Sequence, residues 1–114
     1  MTHKKTDALT EITQELAKAT EGLHNGNDGL ARVCARRAVA IATQHWNEQR
    51  DLPAWQGDAM QQLRKIQEHT TFPLPIREAA RRLLTKVTEQ AHSPMTTDPI
   101  ADARIILDHL SSDT

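Results

Sequence analysis

The residues best suited to chemistry are four polar side chains in an alanine-rich segment of the sequence, Arg37, Gln44, His45 and Glu48. At about 100° per helical residue, Arg37 and Gln44 fall on the edge of the apolar stripe of this segment. His45 and Glu48 fall within the stripe, where a charge needs a partner or a water-filled cleft. We therefore predict that the four residues line a ligand or partner cleft. The alternative is that Arg37 extends past the edge of the core and that the other charged positions lie beyond its end.

Spacings typical of metal ligands also occur, but they point away from the expected core. Glu21 and His24 form one Glu-x-x-His pair, and Glu89 and His92 form another. This spacing occurs in di-metal sites of helical bundles, where the ligands face inward. Here the carboxylates lie opposite the apolar stripes of their helices. Because Cys34 is the single cysteine, an intrachain disulfide and a multi-cysteine zinc site are excluded. We predict no metal and no other cofactor.

Basic residues in two segments could form a stripe that contacts phosphate groups: Arg32, Arg36, Arg77, Arg81, Arg82 and Lys86. However, Glu78 precedes Arg82 by four residues, which is typical of an ion-paired surface helix. The 14 Lys and Arg residues against 15 Asp and Glu give a net charge of −1, which does not favour bulk electrostatic binding to nucleic acid or to an anionic membrane. We therefore expect a solvated face. Nucleotide or RNA binding has no support from the net charge.

The elements that must position these residues are predicted to be five helices, because leucine and alanine far outnumber valine and isoleucine. Hydrophobic periodicity and the start and stop residues place the helices at about 6–23, 28–49 with Asp28 as the cap, 51 onward from Asp51-Leu52-Pro53, 76–91, and 98–110 from Asp98-Pro99. The loops between them are short, which favours antiparallel neighbours. The predicted fold is therefore all-α, an up-and-down antiparallel four-helix bundle with a short fifth C-terminal helix. We expect one domain over 1–114, with frayed ends at 1–5 and 111–114.

The second helix is predicted to be the centre of this bundle, because its many alanines let neighbouring backbones approach closely. Its larger core contacts are expected to come from Leu30, Val33, Cys34 and Ile41. The polar face opposite them is expected to be solvated and consists of Arg32, Arg36, Thr43 and Asn47. A helix that is apolar around so much of its circumference is either central or covered by a partner chain. Trp46 and Trp55 are expected to pack the corner after this helix, or else to anchor a partner.

One stretch resembles a known family of helical bundles. Gly22-Leu23-His24-Asn25, followed by the small-residue helix from Ala31 to Ala42 and then by His45, is similar to the start of HEPN-type bundles. The resemblance implies a compact bundle of four or five helices that is usually a symmetric dimer. Some members of the family are metal-independent ribonucleases that act through Arg-x(4–6)-His, and many others bind nucleotides or are non-catalytic.

Two segments match the spacing of that ribonuclease motif. Arg64 and His69 form one match and Arg104 and His109 the other. The first is preferred, because a polar residue, Lys65, follows the arginine as in catalytic members. In a ribonuclease His69 would act as general base and Arg64 would stabilise the developing charge on phosphorus.

Taken together, these features favour a non-catalytic binding or interaction module of the HEPN-like type. The alternatives are the metal-independent ribonuclease and a helical subunit of a hetero-complex. We expect a homodimer, and the other option is a protein partner. We expect no membrane association, because the longest purely apolar run extends only from Ala38 to Ala42. No signal peptide is visible at the N-terminus, so a cytoplasmic location is expected.

Overall fold

The computed structural model describes residues 4–53, 55–85 and 98–112, with side chains from residue 7 onward. Within these ranges the chain forms five α-helices and no strand: α1 (Lys4–His24), α2 (Asp28–Gln49), α3 (Ala59–Glu68), α4 (Leu74–Leu84) and α5 (Pro99–Ser112). The all-α prediction is therefore confirmed, and the helices pack as a bundle. None of the described helices is both long and apolar enough to cross a bilayer.

A tight turn joins α1 to α2 and folds them into a hairpin. Gly26 has φ +74°, a left-handed conformation that glycine adopts without a steric penalty. The backbone N–H of Asn27 then donates to the carbonyl of Gly22 at 2.7 Å. Asn27 also caps α2, because its Oδ1 accepts from the N–H of Leu30 at 3.1 Å. The prediction that Asp28 is the cap is wrong by one residue.

The third helix begins later than predicted. Its N-terminus is a capping box in which Asp58 accepts from the N–H of Gln61 and the Gln61 side chain accepts from the N–H of Asp58. Gly57, with φ +101°, turns the chain immediately before this cap. The Asp51-Leu52-Pro53 segment therefore does not start the helix. A reciprocal cap satisfies two backbone donors at once, which a proline in the first turn cannot do.

The last two helices pack against each other and against the rest of the bundle. α4 contacts α3 and α5, and α5 also contacts α2. An ion pair joins the two helices, because Arg82 Nη2 lies 2.7 Å and Nε 3.1 Å from Asp102 Oδ1. The start of α5 is close to the predicted Asp98-Pro99 signal. The predicted continuation of the fourth helix to residue 91 lies outside the described residues.

The core lies between α2 and the helices around it, where alanines of α2 face larger side chains. Its buried members include Leu16, Ala35, Ala38, Val39, Ala42, Trp46, Leu63, Ile66, Phe72, Leu83 and Ile106. A smaller cluster joins Ala19 of α1 to Ala31 and Cys34 of α2, and Ile100 of α5 packs against it. The predicted tryptophan corner is confirmed, because the rings of Trp46 and Trp55 lie 6.0 Å apart.

The orientation of α2 differs from the prediction. Leu30 and Val33, expected in the core, are 42% and 39% exposed. Thr43 and Asn47, expected in solvent, are completely buried. The cause is the position of α3, since Gln62 of α3 reaches the Thr43 hydroxyl across the interface. α3 thus covers the polar side of α2 at Thr43, the end of α4 accepts a hydrogen bond from Arg36, and part of the apolar stripe of α2 remains in solvent.

Candidate functional site

An open groove lies between α1, α2 and α5. α1 and α5 both pack on α2 but barely touch each other, so a trough of about 370 Å³ lies above the C-terminal half of α2. The groove is lined by Leu9, Ile12, Thr13, Leu16, Ala42, His45, Trp46, Gln49, Arg104, Leu107, Asp108, Leu110 and Ser111. Its size is in the range of ligand-binding clefts.

The groove has an apolar floor and a polar rim. Buried side chains of Leu16, Trp46 and Leu110 form the floor. At its mouth Leu9 is 55% exposed, although it begins the apolar stripe of α1. The rim carries His45 and Gln49 one turn apart on α2, and Arg104 and Asp108 one turn apart on α5. Such a surface can bury apolar groups and orient them with a few polar contacts.

The four polar residues predicted to form one cleft are divided between two shallow clefts along α2. Gln44, His45 and Glu48 line a cleft of about 190 Å³ together with Asp7 and other residues of α1. Arg37 and Gln44 line another cleft, of about 320 Å³, beside the start of α3. Arg37, Gln44 and Glu48 are exposed, and His45 is partly buried. The structure thus brings three of the four together and places Arg37 further along the helix.

His45 connects the groove to these shallower clefts, because it lines both the groove and the cleft that contains Glu48. Its Nδ1 atom is shielded from solvent and has no hydrogen-bond partner among the described residues. A buried ring nitrogen without a partner is costly, so a ligand group that reaches it would gain a hydrogen bond. Of the four predicted residues, His45 is the one that the geometry connects to the groove.

The arginine and histidine residues of the ribonuclease motif lie elsewhere. Arg64 is exposed on α3, and His69 is exposed at the C-terminal end of this helix. Neither residue lines the groove or the two clefts. His69 caps α3 and its ring lies 5.2 Å from that of Phe72. In the second match, Arg104 faces the groove while His109 packs edge-on against Phe72 at 5.6 Å. The two residues of this match therefore point to different sides of α5.

An aromatic cluster closes the end of the bundle beside the groove. Trp46 packs against Trp55 at 6.0 Å and against Phe72 at 5.5 Å, and the guanidinium of Arg50 lies 4.5 Å from the centre of the Trp46 ring. Two histidines extend the cluster, namely His69 and His109. Because these rings pack on one another, they hold the Trp46 ring in place where it forms part of the groove floor.

Cys34 is completely buried at the crossing of α1 and α2, as predicted. Burial raises the pKa of its thiol, and the neighbouring Glu15 carboxylate raises it further. The nearby positive charges of Arg37 and Lys18 lower it by less. A protonated, inaccessible thiol is a poor nucleophile and a poor metal ligand, so this residue packs the interior.

Sequence reasoning missed the groove, although it named several of its residues. Leu9, Ile12 and Leu16 form a regular apolar stripe, and such a pattern by itself predicts core positions. Whether such a stripe is covered depends on the separation of α1 and α5, which no local pattern encodes. Within the described ranges, no group of three or more histidine, cysteine or acidic side chains is arranged to hold a metal ion.

No protein-family model, curated protein or solved structure matches this chain. The resemblance of residues 22–45 to HEPN-type bundles therefore stays a prediction.

Proposed function

We propose that the chain is a non-catalytic interaction module of the HEPN-like type, whose groove binds an amphipathic helix of a partner protein. The observation that carries this proposal is the solvent-open apolar groove between α1 and α5. In the proposed architecture, an up-and-down bundle of four helices followed by α5, the groove is a vacant position for one more helix. A helix that inserts its apolar side there would cover Leu9, which is 55% exposed.

The dimensions of the groove fit a short helix. Its α1 wall extends from Leu9 to Leu16, and its α5 wall extends from Arg104 to Ser111. Each wall spans seven residue steps, or about 10 Å, which is the length of about two helical turns. The guest would therefore place apolar residues at i, i+3 or i+4, and i+7 on the floor. Because the mouth is open along this length, a small molecule would remain largely in water, unlike ligands of enclosed pockets.

The polar rim supports orientation of the guest. Arg104 and Asp108 lie on one wall, and His45 and Gln49 lie on the helix that forms the floor. Because these two opposite charges lie one turn apart, a guest helix that carries the complementary pair of charges binds favourably in one chain direction and unfavourably in the reverse direction. Rim contacts of this kind contribute more to specificity than to affinity, whereas the apolar anchors supply most of the binding energy.

In a homodimer the guest helix would come from a second copy of this chain, and in a hetero-complex it would come from another protein. We propose that it comes from another protein. The ribonuclease alternative would require Arg64 and His69 to meet a phosphodiester. Both residues lie outside the groove, and no step of cleavage is assigned to them. Loss of RNA cleavage in a folded His69→Ala protein would support that alternative.

The proposal is tested by selecting helical peptides from a displayed library on the purified protein. Selected peptides are then measured by fluorescence polarisation against wild type, Leu9→Asp and Leu74→Asp. The two leucines are a matched pair, because each is 55% exposed and Leu74 lies on α4 outside the groove. Covering the rest of a half-exposed leucine contributes about 1 kcal/mol. An aspartate adds a desolvation cost, so Leu9→Asp should weaken binding at least about tenfold.

We expect the selected peptides to share the i, i+3 or i+4, i+7 apolar spacing and to bind Leu74→Asp as they bind wild type. Peptides without that spacing, or equal affinity for both variants, would refute the groove as the site. Sedimentation equilibrium of the peptide-free protein identifies the source of the guest. A wild-type dimer that Leu9→Asp dissociates would assign the groove to a second copy and overturn the assignment to a different protein.

A further inference from the structure

Two arginines in the N-terminal half of α2, outside the groove, carry positive charge that the described residues do not fully compensate. Arg32 and Arg36 lie one turn apart, and both are partly buried. Arg36 donates from Nε to the carbonyl of Leu83 at 2.7 Å, at the C-terminal end of α4. Arg32 has no such acceptor: its Nε and Nη1 atoms are shielded from solvent and make no hydrogen bond to the described part of the chain.

An arginine in this state is unfavourable, because the guanidinium remains charged and has lost water from two of its nitrogens. The third nitrogen, Nη2, is not among the shielded atoms. Arg32 also acts on its neighbour, since burial and the charge of Arg32 both lower the pKa of Arg36. The two guanidinium groups therefore lack a compensating negative charge, and the Nη2 edge of Arg32 can still reach a ligand.

The nearby carboxylate of α5 does not supply that charge. Asp102 is held by Arg82 through three contacts of 2.7–3.1 Å. Among the described residues, no carboxylate oxygen lies within 4.0 Å of the Arg32 guanidinium. Two helices also begin at this end of the bundle, α2 at Asp28 and α5 at Pro99, and helix N-termini add positive potential.

We propose that Arg32 and Arg36 bind a phosphate group, either as inorganic phosphate or as the monoester of a nucleotide. The oxygens would accept from Arg32 at its open edge and lie within the field of Arg36. A phosphate suits this place better than a single carboxylate, because its two negative charges match two guanidinium groups. The site is separate from the groove, so the two proposals succeed or fail independently.

The test is thermal unfolding of the full chain at neutral pH and constant ionic strength, with sodium chloride replaced stepwise by sodium phosphate or by AMP. Arg32→Gln removes the open guanidinium edge, and Arg64→Gln removes an arginine from the exposed side of α3. Because Arg32 makes no hydrogen bond to the described chain, we expect Arg32→Gln to fold and to melt at or above the wild-type Tm in chloride.

We expect the Tm of wild type and of Arg64→Gln to rise in a saturable way with millimolar phosphate, and that of Arg32→Gln to stay constant. A larger rise with AMP than with phosphate at equal concentration would assign the ligand to nucleotides, and equal rises would assign it to free phosphate. The proposal is overturned if wild type does not respond or if Arg32→Gln responds as wild type does. Leu9→Asp should keep the full response, which separates this site from the groove.

Discussion

Replacing Asn47 with leucine should stabilise the protein, although the change removes a polar residue that the sequence places on a solvated face. Asn47 is completely buried on α2, and neither atom of its side-chain amide has a hydrogen-bond partner among the described residues. Each buried polar atom without a partner costs about 1–3 kcal/mol. Leucine keeps the branch at Cγ and replaces both polar atoms with methyl groups, so the cost disappears.

The net gain is smaller than the sum of the two terms. Leucine is larger than asparagine, and overpacking a filled site costs about 1–3 kcal/mol. Leucine has a higher helix propensity than asparagine, which contributes about 0.5 kcal/mol. With the middle of each range, the balance for Asn47→Leu is a gain of about 2–3 kcal/mol in the free energy of unfolding, or a rise of about 8–12 °C in Tm for a domain of this size.

The matched control is Gln62→Leu, which removes a satisfied amide from the same interface. Gln62 donates from Nε2 to the carbonyl of Trp55 at 3.0 Å and to that of Gly57 at 3.4 Å, and its Oε1 contacts the Thr43 hydroxyl. Its removal leaves these groups without a partner, so Gln62→Leu should lower the free energy of unfolding by about 1–3 kcal/mol. The two substitutions are chemically alike and are expected to have opposite signs.

Urea unfolding followed by circular dichroism measures both variants, together with Asn47→Ala. The alanine variant adds no volume, so it separates overpacking from the loss of hydrogen bonds. Destabilisation by both Asn47→Leu and Asn47→Ala, as large as that by Gln62→Leu, would refute the reasoning. It would mean that the Asn47 amide is satisfied in solution, for example by a buried water.

Three further outcomes follow from the packing of the helices. Asp102→Asn should destabilise the protein by about 1–3 kcal/mol in urea unfolding, because it removes the charge partner of Arg82 between α4 and α5; an unchanged midpoint would show that this pair contributes nothing. Gly26→Ala should lower the free energy of unfolding by about 1 kcal/mol, because φ is +74° in a turn where a Cβ meets no neighbouring atom and backbone strain alone acts. Burial raises the pKa of the Cys34 thiol, so its contribution to stability is fully present below the ordinary pKa of 9.0 and is lost as the pH rises above 9.0 through the raised pKa, since the unfolded chain ionises first. Urea unfolding on either side of that pH should therefore show a smaller loss of stability for Cys34→Ala than for wild type.

The sequence by itself determined which segments are helical and where most of them begin or end. The start of α2, predicted to within one residue, and the Asp98-Pro99 start of α5 are read from three or four residues, because capping conformations depend on local backbone geometry. The burial of the alanine-rich side of α2 was also predictable, since small side chains such as alanine and Cys34 let the backbones of neighbouring helices approach closely. Even the tryptophan corner was predictable, because its two rings flank a short connector.

Only the tertiary structure decided which side of α2 faces which neighbour. Leu30 and Val33 are hydrophobic, yet they are exposed because none of the five described helices packs over them. Thr43 is buried because α3 docks on its side of α2 and Gln62 reaches its hydroxyl. The groove likewise exists because α1 and α5 both pack on α2 while remaining apart. Each of these outcomes depends on the distance between segments far apart in the chain, whereas the period of a sequence describes one helix at a time.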